Sequence, residues 1–303
     1  VYARALERIS WPLLVTVLFW GYNFVSIKLL YRQMTPGSLL LVRHLGMHLF
    51  LIAVCLAWGH SIWVHPEDRK RAFTAGALAT GTYMVLFLEG MQRVTPTEGA
   101  IVLATVPILT YLLAVAFRVD RWQPGALGGI AIAYVGVAMV ILGTGMTAAG
   151  TWLGRSLVFL AALNWAGAAL VARPVLNQNP PITLLTTGMF GALPIVAAYG
   201  WADTLRLNWA AFTPTTWANL AQVTICSGGI AFICFYAGLH AIGPAKATTY
   251  QYFVPILAAG FAWGIYGQPL QWIQWLGIAV VLLGVAAAAH ARNQASTISS
   301  RNV

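Results

Sequence analysis

Apolar residues along this chain come in long blocks, not in the alternation that strands require. Ten windows of about 20 mostly apolar residues fall near 11–31, 38–58, 72–91, 98–117, 124–143, 152–173, 182–200, 216–240, 245–266 and 270–290. A helix needs about 20 such residues to cross the hydrocarbon core of a bilayer. Turn chemistry separates most windows: Thr35-Pro36-Gly37, Thr95-Pro96, Gln123-Pro124-Gly125, Asn179-Pro180-Pro181 and Gly243-Pro244. Spanning strands would show alternating segments of about ten residues, and none are present. The expected fold class is all-α and integral to the membrane, with ten transmembrane helices.

Composition agrees. Of 303 residues, 59% are hydrophobic and 8% charged, with a mean hydropathy of +0.75. A soluble domain averages roughly 25% charged residues. The formal net charge of +10 is spread singly at window ends and so predicts no nucleic-acid partner. With the N-terminus on the cytoplasmic side, eleven Lys and Arg fall inside and five outside, so both termini are expected in the cytoplasm. The odd set Cys55, Cys226 and Cys234 lies within apolar stretches and predicts no disulfide framework. The first apolar stretch is too long for a signal peptide, and a start on Val predicts a trimmed N-terminus.

The chain repeats itself. A shift of 148 aligns 81–138 with 229–286 without a gap, with 16 of 58 positions identical. The matches include Gly81/Gly229, Phe87/Phe235, Gly90/Gly238, Pro96/Pro244, Pro107/Pro255, Gly129/Gly277 and Gly136/Gly284. A shift of 145 pairs Trp20 with Trp165, Lys28 with Arg173 and Pro36 with Pro181. Each half therefore holds five windows, 1–145 and 146–290, followed by a tail at 291–303. Five is odd, so the second half enters the membrane inverted. Inverted repeats place substrate sites near the bilayer midplane, where the halves meet.

Two five-helix halves, Trp20-Gly21-Tyr22-Asn23-Phe24-Val25 with Lys28 behind it, and the pattern Gly90-Pro96-Pro107 with Gly238-Pro244-Pro255 resemble the drug/metabolite transporter superfamily. Within it the chain is similar to EamA-type ten-helix exporters of bacterial inner membranes, and among those to the aromatic amino acid exporters. Two departures stand out. Many relatives close the fourth helix with an acidic residue after a Gly, where Phe117-Arg118-Val119-Asp120 and Tyr266-Gly267-Gln268 stand here. Arg173 replaces the second Lys.

The candidate substrate-binding residues follow from depth and chemistry. Trp20 and Trp165 lie near window centres, where an indole N–H needs a partner or a cavity. Thr248, Thr249, Tyr250, Gln251 and Tyr252 would be costly against lipid, so some should face a cavity. Tyr83, one turn before Phe87, can share it. Pro107 and Pro255 each remove a backbone donor mid-window, which predicts paired kinks suited to gating. Charge is rare at depth: Arg43, His44 and His48 lie in the second window, and Lys28 sits near an interface. His44 and His48 are spaced for metal, but no third ligand accompanies them, so no metal and no cofactor are expected. Only Glu89 and Glu98 are read as acids of the windows, both near outer ends.

No Walker loop, paired deep carboxylates or zinc spacing is present, so no catalytic residue is assigned and the chain is not read as an enzyme. The expected function is a carrier exporting amino acids, aromatic or large apolar, by facilitated alternating access. A membrane enzyme acting on lipid or isoprenoid substrates, a channel, and carriage of sugars or hydrophobic cations are the alternatives. The partners are a small-molecule substrate and the bilayer. A monomer is the simplest form, and an oligomer stays open.

Overall fold

The computed structural model describes residues 10–94, 96–142, 151–266 and 271–301. The expectations resting on Arg4, Arg8, Gly267, Gln268 and Asn302, and on the side chains of Glu98, Tyr266, Arg292 and Arg301, lie outside what is described. Over the described residues the chain is helical, with no strand. We label the helices α1 (Trp11–Leu30), α2 (Pro36–Ala57), α3 (Pro66–Met91), α4 (Pro96–Leu103), α5 (Val106–Ala116), α6 (Pro124–Leu142), α7 (Trp152–Val175), α8 (Pro181–Leu205), α9 (Pro214–Ile242), α10 (Pro244–Thr249), α11 (Phe253–Tyr266) and α12 (Trp272–Arg301). Among the described residues seven helices are long and apolar enough to cross a membrane, with two shorter apolar helices, Ile101–Ala116 and Pro124–Val140.

Proline opens many of these helices, since its missing N–H costs nothing in a first turn. Thr35, Thr151 and Thr213 cap α2, α7 and α9 by accepting from the amides of Ser38, Gly154 and Thr216 at 3.2, 3.1 and 3.2 Å. Helices outrun the apolar windows where polar residues find partners. Glu67, Asp68 and Asp203 join Glu89 and Glu98 as helix acids, correcting the shorter set read from hydropathy. Asp68 accepts from Asn179 Nδ2 at 2.8 Å and Asp203 from Thr35 Oγ1 at 2.6 Å.

The windows near 98–117 and 245–266 are each broken. Residues 104–105 separate α4 from α5, and the 3₁₀ turn Tyr250–Tyr252 separates α10 from α11. Two further helices carry π segments, Ala77–Thr82 within α3 and Gln222–Ile230 within α9.

Small residues set the packing. α6 and α12 run antiparallel through Gly129, Gly136, Gly277 and Gly284. A Cβ on Gly136 would stand 2.8 Å from the carbonyl oxygen of Gly277, and one on Gly284 2.7 Å from that of Gly129. Helices approach this closely in lipid because van der Waals contact drives their association. Gly90 of α3 packs on Val158 of α7, and Gly238 of α9 on Leu13 of α1. Gly128, one residue before Gly129, faces open space. Gly129→Leu should therefore lower the thermal midpoint in detergent by the overpacking cost of about 1–3 kcal/mol. Gly128→Leu should leave it within about 0.5 kcal/mol; equal effects would overturn this packing.

Candidate functional site

The centre of the molecule is aromatic. Trp20 of α1 and Trp165 of α7 meet edge to face, ring centroids 5.6 Å apart. Phe235 of α9 packs on both, at 5.3 and 5.2 Å, and Phe232 at 5.5 and 5.6 Å. Tyr83 lies 5.2 Å from Trp165 and stacks on Phe87 at 5.7 Å with planes 6° apart.

The π segment of α9 holds Trp20. A π register shifts the ladder by one residue and leaves carbonyls available. The Trp20 indole N–H donates to the Ser227 carbonyl at 3.1 Å, while Ser227 Oγ donates to the Phe19 carbonyl at 2.8 Å. Thr16, one turn earlier, donates to the Ala231 carbonyl at 3.0 Å. The expected partner for the indole is therefore a backbone oxygen, and the ring itself faces a cavity.

That cavity measures about 770 Å³ with its open side included. Trp20, Asn23 and Phe24 line it from α1, Arg43 from α2, and Tyr83, Met84 and Phe87 from α3. Leu103, Ala104, Val106 and Pro107 line it from the α4–α5 break, and Trp165 and Phe232 from α7 and α9. Gln251, Val254 and Pro255 complete it from the second break. The lining runs from the tryptophan pair toward the α1 end at Leu30 and the α3 end at Met91. Phe235 is buried and is not part of that lining.

The structure thus gathers Trp20, Tyr83, Trp165, Gln251, Pro107, Pro255 and Arg43 around one space. It does not bring Tyr250 or Tyr252 to the lining. Tyr252 is fully buried and donates to the Ile130 carbonyl of α6 at 3.1 Å, and the Tyr250 hydroxyl accepts from the Ser10 amide at 3.2 Å. Thr248 and Thr249 donate to carbonyls of their own helix, at Pro244 and Ala245. His44 pairs through Nε2 with the Met189 carbonyl at 3.1 Å, and His48 packs on the Phe190 ring at 4.3 Å, both away from the cavity. Among the described residues no cluster of three or more His, Cys, Asp or Glu could hold a metal. Lys28 is exposed. Arg173 caps α9 through the carbonyls of Leu239, at 3.2 Å, and His240. Glu89 accepts from Tyr199 and Arg93, which ties α3 to α8 outside the lining.

Sequence reasoning missed Asn23, Phe24, Met84 and Phe232. Helical spacing was the available signal for two of them: Asn23 and Phe24 lie three and four residues past Trp20 and so share its face.

The EamA-like transporter family model matches residues 10–142 and again 152–289. The chain belongs to the EamA-like transporter family. It is a multi-pass membrane transporter of that family. It is 28% identical over 292 residues to the uncharacterized inner membrane transporter YedA of Escherichia coli (strain K12), covering 93% of this chain and 90% of that one. It is 26% identical over 312 residues to a Streptantibioticus cattleyicolor protein named "Probable terminal-alkyne amino-acid exporter", covering 98% and 99%. A solved crystal structure shares its fold with a TM-score of 0.78 at 17% identity, covering 94% of this chain and 98% of that one.

Trp20→Phe keeps a ring in the aromatic cluster but removes the N–H and strands the Ser227 carbonyl. Thermal unfolding of the detergent-purified protein should show a loss of about 1–3 kcal/mol. No loss would mean that the bond to α9 contributes nothing.

Proposed function

We propose that this transporter exports amino acids with large apolar, chiefly aromatic, side chains across the bacterial inner membrane by facilitated alternating access. Its working parts are two inverted five-helix halves, residues 1–145 and 146–290, followed by the tail at 291–303. The observation that carries this reading is the cavity itself. It is lined from both stretches matched by the family model, with Trp20 contributed by one and Trp165 by the other. Such a lining suits flat apolar side chains.

Inversion has further support. The contact of Gly129 with Gly284 becomes that of Gly277 with Gly136 when the halves are exchanged, and Gly90 with Val158 becomes Gly238 with Leu13. The two π segments and the two helix breaks also fall at corresponding places in the halves. One of the contacts at which the exchange fails supports alternating access. Phe235 packs on both tryptophans, whereas its counterpart Phe87 stacks on Tyr83 and lines the cavity. In the opposite state Phe87 closes on the pair and Phe235 withdraws.

The eleven-to-five distribution of positive charge supports cytoplasmic termini and makes the cavity described here open outward. The name of the Escherichia coli relative supports the inner membrane, and that of the Streptantibioticus relative supports an amino-acid cargo. Coupling needs an ion whose binding differs between the two states. The described cavity lining includes no Asp, Glu or His, which supports facilitated movement down the substrate gradient.

Flux of labelled phenylalanine and tryptophan into proteoliposomes tests the proposal. Uptake should saturate, and Trp20→Ala and Trp165→Ala should each lower kcat/KM at least about tenfold. Unchanged flux in both variants, correctly inserted, would sink the cavity reading. An imposed pH gradient should not drive accumulation above equilibrium; uphill uptake under that gradient alone would overturn the facilitated mechanism.

A further inference from the structure

Arg43 is 5% exposed and lines the cavity. Among the described residues its one hydrogen bond runs from Nη1 to Met84 Sδ at 3.7 Å, and no carboxylate lies within ion-pair distance of it. A guanidinium carries five donors and keeps its charge in proteins. A thioether is a weak acceptor, and buried cations are ordinarily paired. Two more polar groups on the same lining have no partner among the described residues: Oδ1 of Asn23 and Nε2 of Gln251.

These groups are not part of the packing that the halves share. The repeat shifts place Gly188 opposite Arg43, Ala168 opposite Asn23 and Leu103 opposite Gln251. Each polar member has an apolar or glycine counterpart, so the polar set belongs to one side of the cavity only. The aromatic lining is contributed by Trp20 and Phe24 of α1, Tyr83 and Phe87 of α3, Trp165 of α7 and Phe232 of α9.

We propose that Arg43 is the carboxylate-binding residue of the transport site, with Asn23 Oδ1 accepting from the substrate ammonium and Gln251 Nε2 donating a second bond to the carboxylate. This rests on the amino-acid reading above and deepens it. The ligand is a zwitterion held head-first toward α1 and α2, with its side chain against the Trp20–Trp165 pair. With one cation and no acid on the described lining, the site disfavours a substrate whose only charge is positive.

Flux of three matched compounds through proteoliposomes tests the assignment: L-phenylalanine, L-phenylalaninamide, which lacks the carboxylate, and 3-phenylpropanoate, which lacks the ammonium. The wild type should prefer phenylalanine to the amide by about 10- to 100-fold in kcat/KM, the range of a charge-assisted bidentate contact. Arg43→Gln should bring phenylalanine down to the level of the amide while amide flux persists, which shows that the variant is folded. Arg43→Lys, which keeps a cation but loses the fork, should fall between, and it carries the test if Arg43→Gln does not insert. Asn23→Leu should remove the preference for phenylalanine over 3-phenylpropanoate and leave that over the amide. A wild type that moves the amide as well as phenylalanine overturns the clamp and leaves the amino-acid reading standing, as does an Arg43→Gln protein that still discriminates. A wild type that moves none of the three overturns both.

Discussion

In hydrocarbon a backbone N–H or C=O has no water to turn to, so a helix can be interrupted only where protein or a polar cavity takes up the freed groups. Four interruptions among the described residues illustrate that constraint, and they fall around the site. The π segment of α9 gives its Ser227 carbonyl to Trp20. That of α3 ends at Tyr83, on the cavity. The α4–α5 break exposes Ala104 and Pro107 to the same space, and the 3₁₀ turn after α10 brings Gln251 there. A straight helix at any of these places would leave the tryptophan without its acceptor or the cavity without a wall.

Several threonines at depth follow the same rule by local means, whereas Ser26 Oγ, Thr110 Oγ1 and Asn164 Oδ1 have no partner among the described residues. Thr80, Thr186, Thr248 and Thr249 each donate to a carbonyl four residues back, at 3.0, 2.8, 2.9 and 2.8 Å. A hydroxyl satisfied by its own helix is free to face lipid or another helix. Arg43 has no such option, because its charge and its five donors exceed what one helix can offer. Its position on the cavity wall is thus the converse of the threonines' positions within the packing.

Elements and helix boundaries were legible because the bilayer forces length and composition together. The windows 11–31 and 38–58 differ from their helices, Trp11–Leu30 and Pro36–Ala57, by a residue or two, and proline in first turns marks the starts. The central tryptophans were legible from depth, and the prolines from the donor they remove. Legibility stopped at side-chain direction. Thr248 through Tyr252 looked alike in the sequence, as polar tips in an apolar run. Only Gln251 faces the cavity, since the threonines bond backward and Tyr252 reaches α6. Asp203 escaped notice because hydropathy ends a span where polar residues begin, whereas a helix continues as long as its polar residues find partners such as Thr35.

On the proposed alternating-access reading, a two-fold scaffold would give the transport cycle its energetic balance. If the halves exchange conformations, the glycine contacts of α6 with α12 and those of Gly90 and Gly238 map onto themselves, so the bulk of the packing free energy is common to both states. What differs is confined to residues that the repeat does not share. Phe235 sits against both tryptophans here, and Phe87 would take that place in the exchanged state, a swap of like for like worth little net energy. The cavity residues that the repeat does not share include the polar Arg43, Asn23 and Gln251, against Gly188, Ala168 and Leu103, and the aromatic Tyr83 and Phe232, against Ala231 and Met84. Symmetry in the packing keeps the two states close in free energy, which lets either be populated. On the same proposed reading, asymmetry in the polar set would give the bound molecule one orientation throughout, because its head group would have a single set of partners whichever side is open.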